Sequence, residues 1–183
     1  PLKRSDCSMV SDGAAALVIE NLSSRSLKGP IIGWKSRAQV NDLLPLSRRD
    51  KTCFTGAAKA WKKALSQAEM KLEDLDFVET HDCFTIAELL EYEAMGLAEQ
   101  GKGAQVIVDG MTTKDGSLPV NPSGGLKSKG HPIGATGVSM HVMAAMQLTG
   151  EAQGMQIGNA VTGAVFNMGG AAVANYVSIL EAR

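Results

Sequence analysis

No stretch of the chain approaches the ~20 consecutive apolar residues that cross a bilayer, and neither sign of charge dominates. Lys and Arg number 18, Asp and Glu 19, for a net charge of −1. The first absence argues against a spanning helix within these residues, and the second offers no electrostatic footprint for nucleic acid. Cysteine is scarce as well. Cys7, Cys53 and Cys83 are an odd number at irregular spacing, without a Cys-x-x-Cys pair, which argues against a disulfide framework and against a zinc site. No metal is expected, and free thiols fit a reducing compartment. The opening residues carry no leader pattern, and Glu181-Ala182-Arg183 is not a peroxisomal address. The cytoplasm is the expected location.

What is present is a globular composition, 44% hydrophobic and 20% charged over 183 residues, enough for one ordinary domain with a real core. Asp12 to Glu20 passes from a Gly-Ala turn into an apolar strand at Leu17 to Ile19, with no earlier segment to pair with. Asn21 to Gly29 reads as a Ser-rich, basic connector, and Pro30 to Trp34 as a strand. Residues 39–53 lack periodicity and read as a loop. From Gly56, the positions Ala57, Ala60, Trp61, Ala64, Leu65 and Ala68 make a helical apolar stripe. Lys59, Lys62 and Lys63 fall outside it, as a solvated face or a phosphate contact.

Leu72 to Asp76 reads as a turn, and Phe77 to Thr80 as a short strand delivering Glu79-Thr80-His81-Asp82-Cys83-Phe84-Thr85. The helix after it puts Ile86, Leu89, Leu90, Ala94 and Leu97 on one face and stops near Gly96. Gln105 to Val108 is left unassigned, and Thr112 to Pro119 is a polar turn. Val161 to Phe166 and Ala171 to Leu180 read as paired strands around an Asn167-Met168-Gly169-Gly170 turn.

The organising stretch is Asn121 to Gly137, a glycine-rich loop that holds His131 between Gly130 and Pro132 and runs into an apolar helix from Gly134 to Leu148. Glycine serves where φ is positive or where backbone must approach another group closely. A helix N-terminus there favours negative charge, so an anion or thioester is a fitting ligand. His81, Cys83 and His131 are thus three titratable or nucleophilic side chains on two strand-exit loops, a common place for chemistry in layered α/β proteins.

His81-Asp82-Cys83-Phe84 and the loop Gly124-Gly125-Leu126-Lys127-Ser128-Lys129-Gly130-His131-Pro132-Ile133-Gly134-Ala135-Thr136-Gly137 closely resemble motifs of the carboxy-terminal half of thiolases, in the variant of the sterol-carrier-protein type. Asp6-Cys7-Ser8, Ser11 to Ala16 and Asn167 to Ala172 resemble the flanking motifs. The resemblance implies an α/β half-fold, a mixed five-stranded sheet with helices on both faces. It implies that residues 1–27 are a terminal strand and connector belonging to the amino-terminal half, and that residues 28–183 are the carboxy-terminal domain.

Thiolase chemistry needs an acyl-accepting cysteine, a base for that thiol, a second acid/base at the α-carbon, and donors for the thioester oxygens. The resemblance assigns His131 as the base facing one oxyanion hole, and His81 to the position of an asparagine that orients water there. Most thiolases carry the proton-handling cysteine in a Cys-x-Gly motif, but Val165 to Gly170 contains no cysteine, and the resemblance passes the role to Cys83. A thiolate at Cys83 would draw on His131 and the following helix N-terminus. A buried inert cysteine and a satisfied core histidine are the competing readings of Cys83 and His81, and His141, Cys7 and Cys53 read as structural. Ser8 and Phe84 match residues near the pantetheine arm of coenzyme A, and Gly169 with Met168 a backbone donor of the second oxyanion hole.

None of the cysteines matches the family's nucleophile, which belongs to the amino-terminal half, so this chain alone is expected to be inactive. The implied function is thiolysis of 3-oxoacyl-CoA or Claisen condensation of acyl-CoA, with no cofactor beyond the coenzyme A thioester as substrate. A thiolase-like aldolase and a non-catalytic acyl-CoA-binding or assembly module are the alternatives. The implied partners are the amino-terminal half, a second copy in a homodimer, and a small OB-fold protein with a zinc ribbon.

Overall fold

The computed structural model describes residues 2–21, 23 and 29–183. Most of the expected connector, and the expected domain boundary between residues 27 and 28, lie outside the described residues. Strand β1 (Ile32–Asn41) is followed by helix α1 (Thr55–Ala68), β2 (Phe77–Thr80), α2 (Thr85–Met95), α3 (Gly103–Val108), α4 (Gly125–Lys129), α5 (Thr136–Thr149), β3 (Thr162–Gly169) and β4 (Ala174–Ala182). The sheet runs β1-β4-β3-β2, antiparallel at β1/β4 and β4/β3, parallel at β3/β2.

Successive strand residues point to opposite faces, and each strand divides its apolar residues accordingly. Val78, Phe166 and Ile179 join Trp61 of α1 in one core cluster. Their neighbours Phe77, Val165 and Leu180 join Met140 and Ala144 of α5 in the other. Helices therefore cover both faces, as the resemblance implies. On α1 the stripe is buried at Ala57, Ala60, Trp61, Ala64 and Ala68, with its lysines exposed. The chain leaves α1 through Glu69, α2 through Gly96 and α5 through Gly150, all left-handed, the usual way to close a last turn.

Four expectations are corrected. Among the described residues the sheet has four strands, not five. On the outer edge of β2, where a fifth would lie, only Val120 bridges to Val78. Pro119 has no N–H to offer there, and Asn121 turns the chain away with φ 50°. Leu17 to Ile19 form no strand, and Val18 is 88% exposed. The β3–β4 turn comes later than expected: Asn167 to Gly169 are paired in the ladder, and left-handed Gly170, Ala171 and Ala172 make the reversal. β1 also continues to Asn41, where a loop was expected.

The expected face of α2 is partly wrong as well. Ile86 is 46% exposed, whereas the fully buried positions are Ala87, Glu91, Tyr92 and Met95. A glutamate in that row is why an apolar count misplaces the face. The unassigned residues up to Val108 are helical in α3, and α4 interrupts the glycine-rich loop with one short turn of helix.

Candidate active site

β2 ends in a tight reversal. The Asp82 N–H donates to Thr80 O at 3.1 Å and the Cys83 N–H to His81 O at 2.9 Å, so His81, Asp82 and Cys83 leave the strand in three directions before α2 begins. Asp82 turns toward the glycine-rich loop and accepts the Leu126 N–H at 2.6 Å and the Lys127 N–H at 3.3 Å. It thereby caps α4, whose Gly125 leaves no room for a side chain beside that carboxylate. Glu79 makes a second tie: it accepts the Ser123 N–H at 3.2 Å and hydroxyl at 2.6 Å, and pairs with Lys129 at 3.5 Å. Both carboxyls are nearly inaccessible, and burial pushes both up from their ordinary range against these donors.

With the loops so joined, the His81 and His131 rings meet edge to face, 5.0 Å between centroids. His81 Nδ1 lies 2.6 Å from Asn167 Oδ1, and His131 Nδ1 lies 2.7 Å from the Thr136 hydroxyl. Burial lowers His81 to about 4, helped by repulsion from His131. Burial also lowers His131, while Asp82 pulls the other way. Both rings are neutral near pH 7.

Cys83 differs from expectation in its ionisation. Burial, with Glu91 and Asp82 nearby, raises its thiol to about 11, against the backbone donor at Phe84. His131 is uncharged and supplies no cation, so the desolvation and the carboxyls outweigh the helix N-terminus. The group present at neutral pH is a thiol, a proton donor. Beneath it Glu91 is completely buried; its carboxyl contacts the Thr80 hydroxyl, yet burial raises it well above the usual range.

Ser8 and Phe84 fall beside the same loop. The segment Cys7 to Val10 runs between the two motifs: Cys7 bridges Phe84, Val10 bridges His131, the Ser8 N–H donates to Cys83 O at 2.8 Å, and the His131 N–H donates to Met9 O at 2.8 Å. The Lys127 ammonium holds this segment through the carbonyls of Ser5 and Cys7. Phe84 is 43% exposed. Gly169 ends β3 with open space around its Cα. His141 lies apart, bonded to Gly137 O and to Ser178, and Cys53 lies near the Thr55 hydroxyl.

Sequence reasoning missed Asn167, Thr136, Asp82 and Glu91. The signal for Asn167 was present: it is the polar side chain in the stretch where a Cys-x-Gly motif was sought. Asp82 and Thr136 stand inside quoted motifs without an assigned role, and Glu91 has no local signal.

Among the described residues no helix is long and apolar enough to cross a membrane. Residues 38–182 match the family described as thiolase C-terminal domain-like. An acetyl-CoA acetyltransferase of Methanothermobacter thermautotrophicus is 41% identical over 173 residues, 93% of this chain and 45% of that protein. Human sterol carrier protein 2 is 36% identical over 171 residues, 89% of this chain and 31% of that protein. The chain thus spans less than half the length of either relative. Among solved structures, an Ltp2–ChsH2(DUF35) aldolase superposes with TM-score 0.77 at 22% identity, covering 86% of this chain and 41% of its own, a likeness of fold. The motifs, the two-faced mixed sheet and the match over residues 38–182 agree, and the chain belongs to the thiolase C-terminal domain-like family.

Proposed function

We propose that the chain is the carboxy-terminal part of an acyl-CoA acyltransferase that cleaves 3-oxoacyl-CoA by thiolysis or condenses acyl-CoA in reverse. The observation that carries this reading is the His81–His131 contact at 5.0 Å with a protonated thiol at Cys83 on the same reversal. His131 acts as base toward a cysteine nucleophile supplied by an amino-terminal half. His81 lies beside it where the thioester oxygen gains charge, and Cys83 delivers a proton to the α-carbon of the departing enolate. A thiol raised to about 11 suits donation to a carbanion better than it suits nucleophilic attack. Ser8, Phe84 and Gly169 are proposed to line the pantetheine arm and the second oxyanion hole.

The assignment of residues 1–27 to the amino-terminal half belongs to the same proposal, as do a homodimer, a cytoplasmic location and a small OB-fold partner with a zinc ribbon. No cofactor beyond the coenzyme A thioester enters the scheme. The simultaneous presence of Cys83 and His131 favours thiolysis over an aldolase, whose retro-aldol step requires no acyl-cysteine. The test is Cys83→Ala in the complete protein, assayed for thiolysis of a short 3-oxoacyl-CoA. A fall of at least about a hundredfold in kcat with coenzyme A affinity unchanged supports the reading. An unaltered rate removes Cys83 from the mechanism, and binding without turnover in the native protein favours the non-catalytic module.

A further inference from the structure

Each imidazole of the His81–His131 pair has one nitrogen committed. An amide oxygen only accepts, so the 2.6 Å contact with Asn167 Oδ1 places a proton on His81 Nδ1. The other end of that amide lies against Gly137, where a Cβ would come within 2.8 Å of Asn167 Nδ2. In the second ring the argument runs through Thr136. Its hydroxyl has one hydrogen, given to Pro132 O at 3.0 Å, so it receives the proton of His131 Nδ1 at 2.7 Å. Both neutral rings therefore carry hydrogen on Nδ1 and present a bare Nε2.

A bare Nε2 accepts and does not donate. Two neutral rings so fixed offer no Nε2–H to an oxygen that is gaining charge, and two charged rings 5.0 Å apart would repel each other. We infer that Asn167 is a positioning residue that locks His81 as the Nδ1–H tautomer, so that His81 and His131 form a coupled pair of Nε2 acceptors taking up one proton between them. This deepens the thiolase reading and rests on it. The proton is the one a cysteine thiol of the complete protein loses as its sulfur bonds the acyl carbon. His131 Nε2 takes it, the resulting Nε2–H donates to the thioester oxygen, and the proton returns to the coenzyme A sulfur when the carbon–sulfur bond of the tetrahedral intermediate breaks.

Of the surrounding charges, one acts on the pair directly. Asp82 raises His131 while bonded to α4, and Glu91 from α2 bonds the Thr80 hydroxyl. Cys83, on the same reversal, is a thiol at neutral pH. Lys127 and Lys129 of α4 turn to the Ser5 and Cys7 carbonyls and to Glu79. From α5 His141 bonds elsewhere, and from β3 Asn167 is uncharged.

Imidazole nitrogen NMR of the complete protein with labelled histidines, titrated from about pH 3 to 8, reads the tautomers without requiring turnover. Native spectra should show Nδ1–H on both rings near neutrality. Asn167→Leu should convert His81 toward the Nε2–H form and leave His131 unchanged, whereas Thr136→Val should do the reverse. His131→Gln should raise the His81 midpoint by roughly one pH unit or more, since its partner's repulsion is gone. Gly137→Ala disturbs the Asn167 amide from a helix position where Ala is intrinsically favoured, and covers the case in which Asn167→Leu does not fold. A native Nε2–H tautomer at His81, or a His81 midpoint indifferent to His131→Gln, overturns the inference. Correct tautomers with no thiolysis in the complete protein would instead overturn only the thiolase reading.

Discussion

The Asp82 carboxylate occupies the space that a side chain at Gly125 would require, and from there it accepts the Leu126 N–H at 2.6 Å. One candidate motif thus caps the helix inside the other, and the distance between His81 and His131 depends on that cap. Gly125 has φ 63°, so a substitution there is opposed twice, by backbone strain and by the carboxylate. Gly125→Ala is expected to destabilise the chain by roughly 2–4 kcal/mol, combining strain with loss of charge-assisted hydrogen bonds. Urea unfolding measures this, and a change below about 1 kcal/mol would mean that Asp82 moves aside freely.

The ionisation of Cys83 can be read directly by alkylation. In a chain carrying Cys7→Ser and Cys53→Ser, iodoacetamide should react slowly at pH 7 and faster as pH rises toward the thiol value of about 11. A midpoint below about 8, lower than that of an ordinary free thiol, would show that the helix N-terminus outweighs burial and the carboxyls.

Glu91 makes stability depend on pH in a predictable direction. Its carboxyl is raised in the folded chain by burial, so the unfolded chain releases this proton first, from an ordinary value of 4.5 upward. Its contribution to stability is complete below that value and is lost as pH rises toward the folded value. Glu91→Gln removes this term, so the difference in Tm between variant and native chain should move in favour of the variant between about pH 5 and 8. A difference constant over that interval would place the folded carboxyl in the ordinary range.

His81 works in the opposite sense. Its folded value of about 4 lies below the ordinary 6.5, so its contribution is present above 6.5 and is lost as pH falls through that window. His81→Asn should flatten the loss of stability between those two values, as followed by thermal unfolding. An unchanged acid limb would show that the ring titrates alike in both states.

Val18 and Ile19 at 88% and 69% exposure, with Ile133 at 68% on the loop before α5, leave apolar surface uncovered around that helix. The chain expressed by itself should therefore associate, and light scattering should report a mass above one copy at micromolar concentration. A monodisperse monomer would contradict this. Coexpression with an amino-terminal thiolase half should restore a defined particle.

Local order in this protein follows from local sequence. The stripe from Ala57 to Ala68 is a 3.6-residue repeat, and α1 buries it with its lysines outward. The apolar run at Phe77 and Val78 ends in His81-Asp82-Cys83, and β2 delivers that motif where the run stops. The order of the motifs also sufficed to identify the family. Contacts made across the chain were not legible in this way. Asn167 meets His81 across 86 positions, and Ser123 meets Glu79 across 44; no periodicity records such a pairing. Tertiary structure alone decided that Glu91 faces inward on α2, that the sheet has four strands among the described residues, which imidazole nitrogen is bare, and that Cys83 stays a thiol. Burial decided the states of Glu91 and Cys83, and Asn167, 86 positions away, decided that of His81, whereas the sequence determined what the backbone repeat and the motif residues themselves could carry.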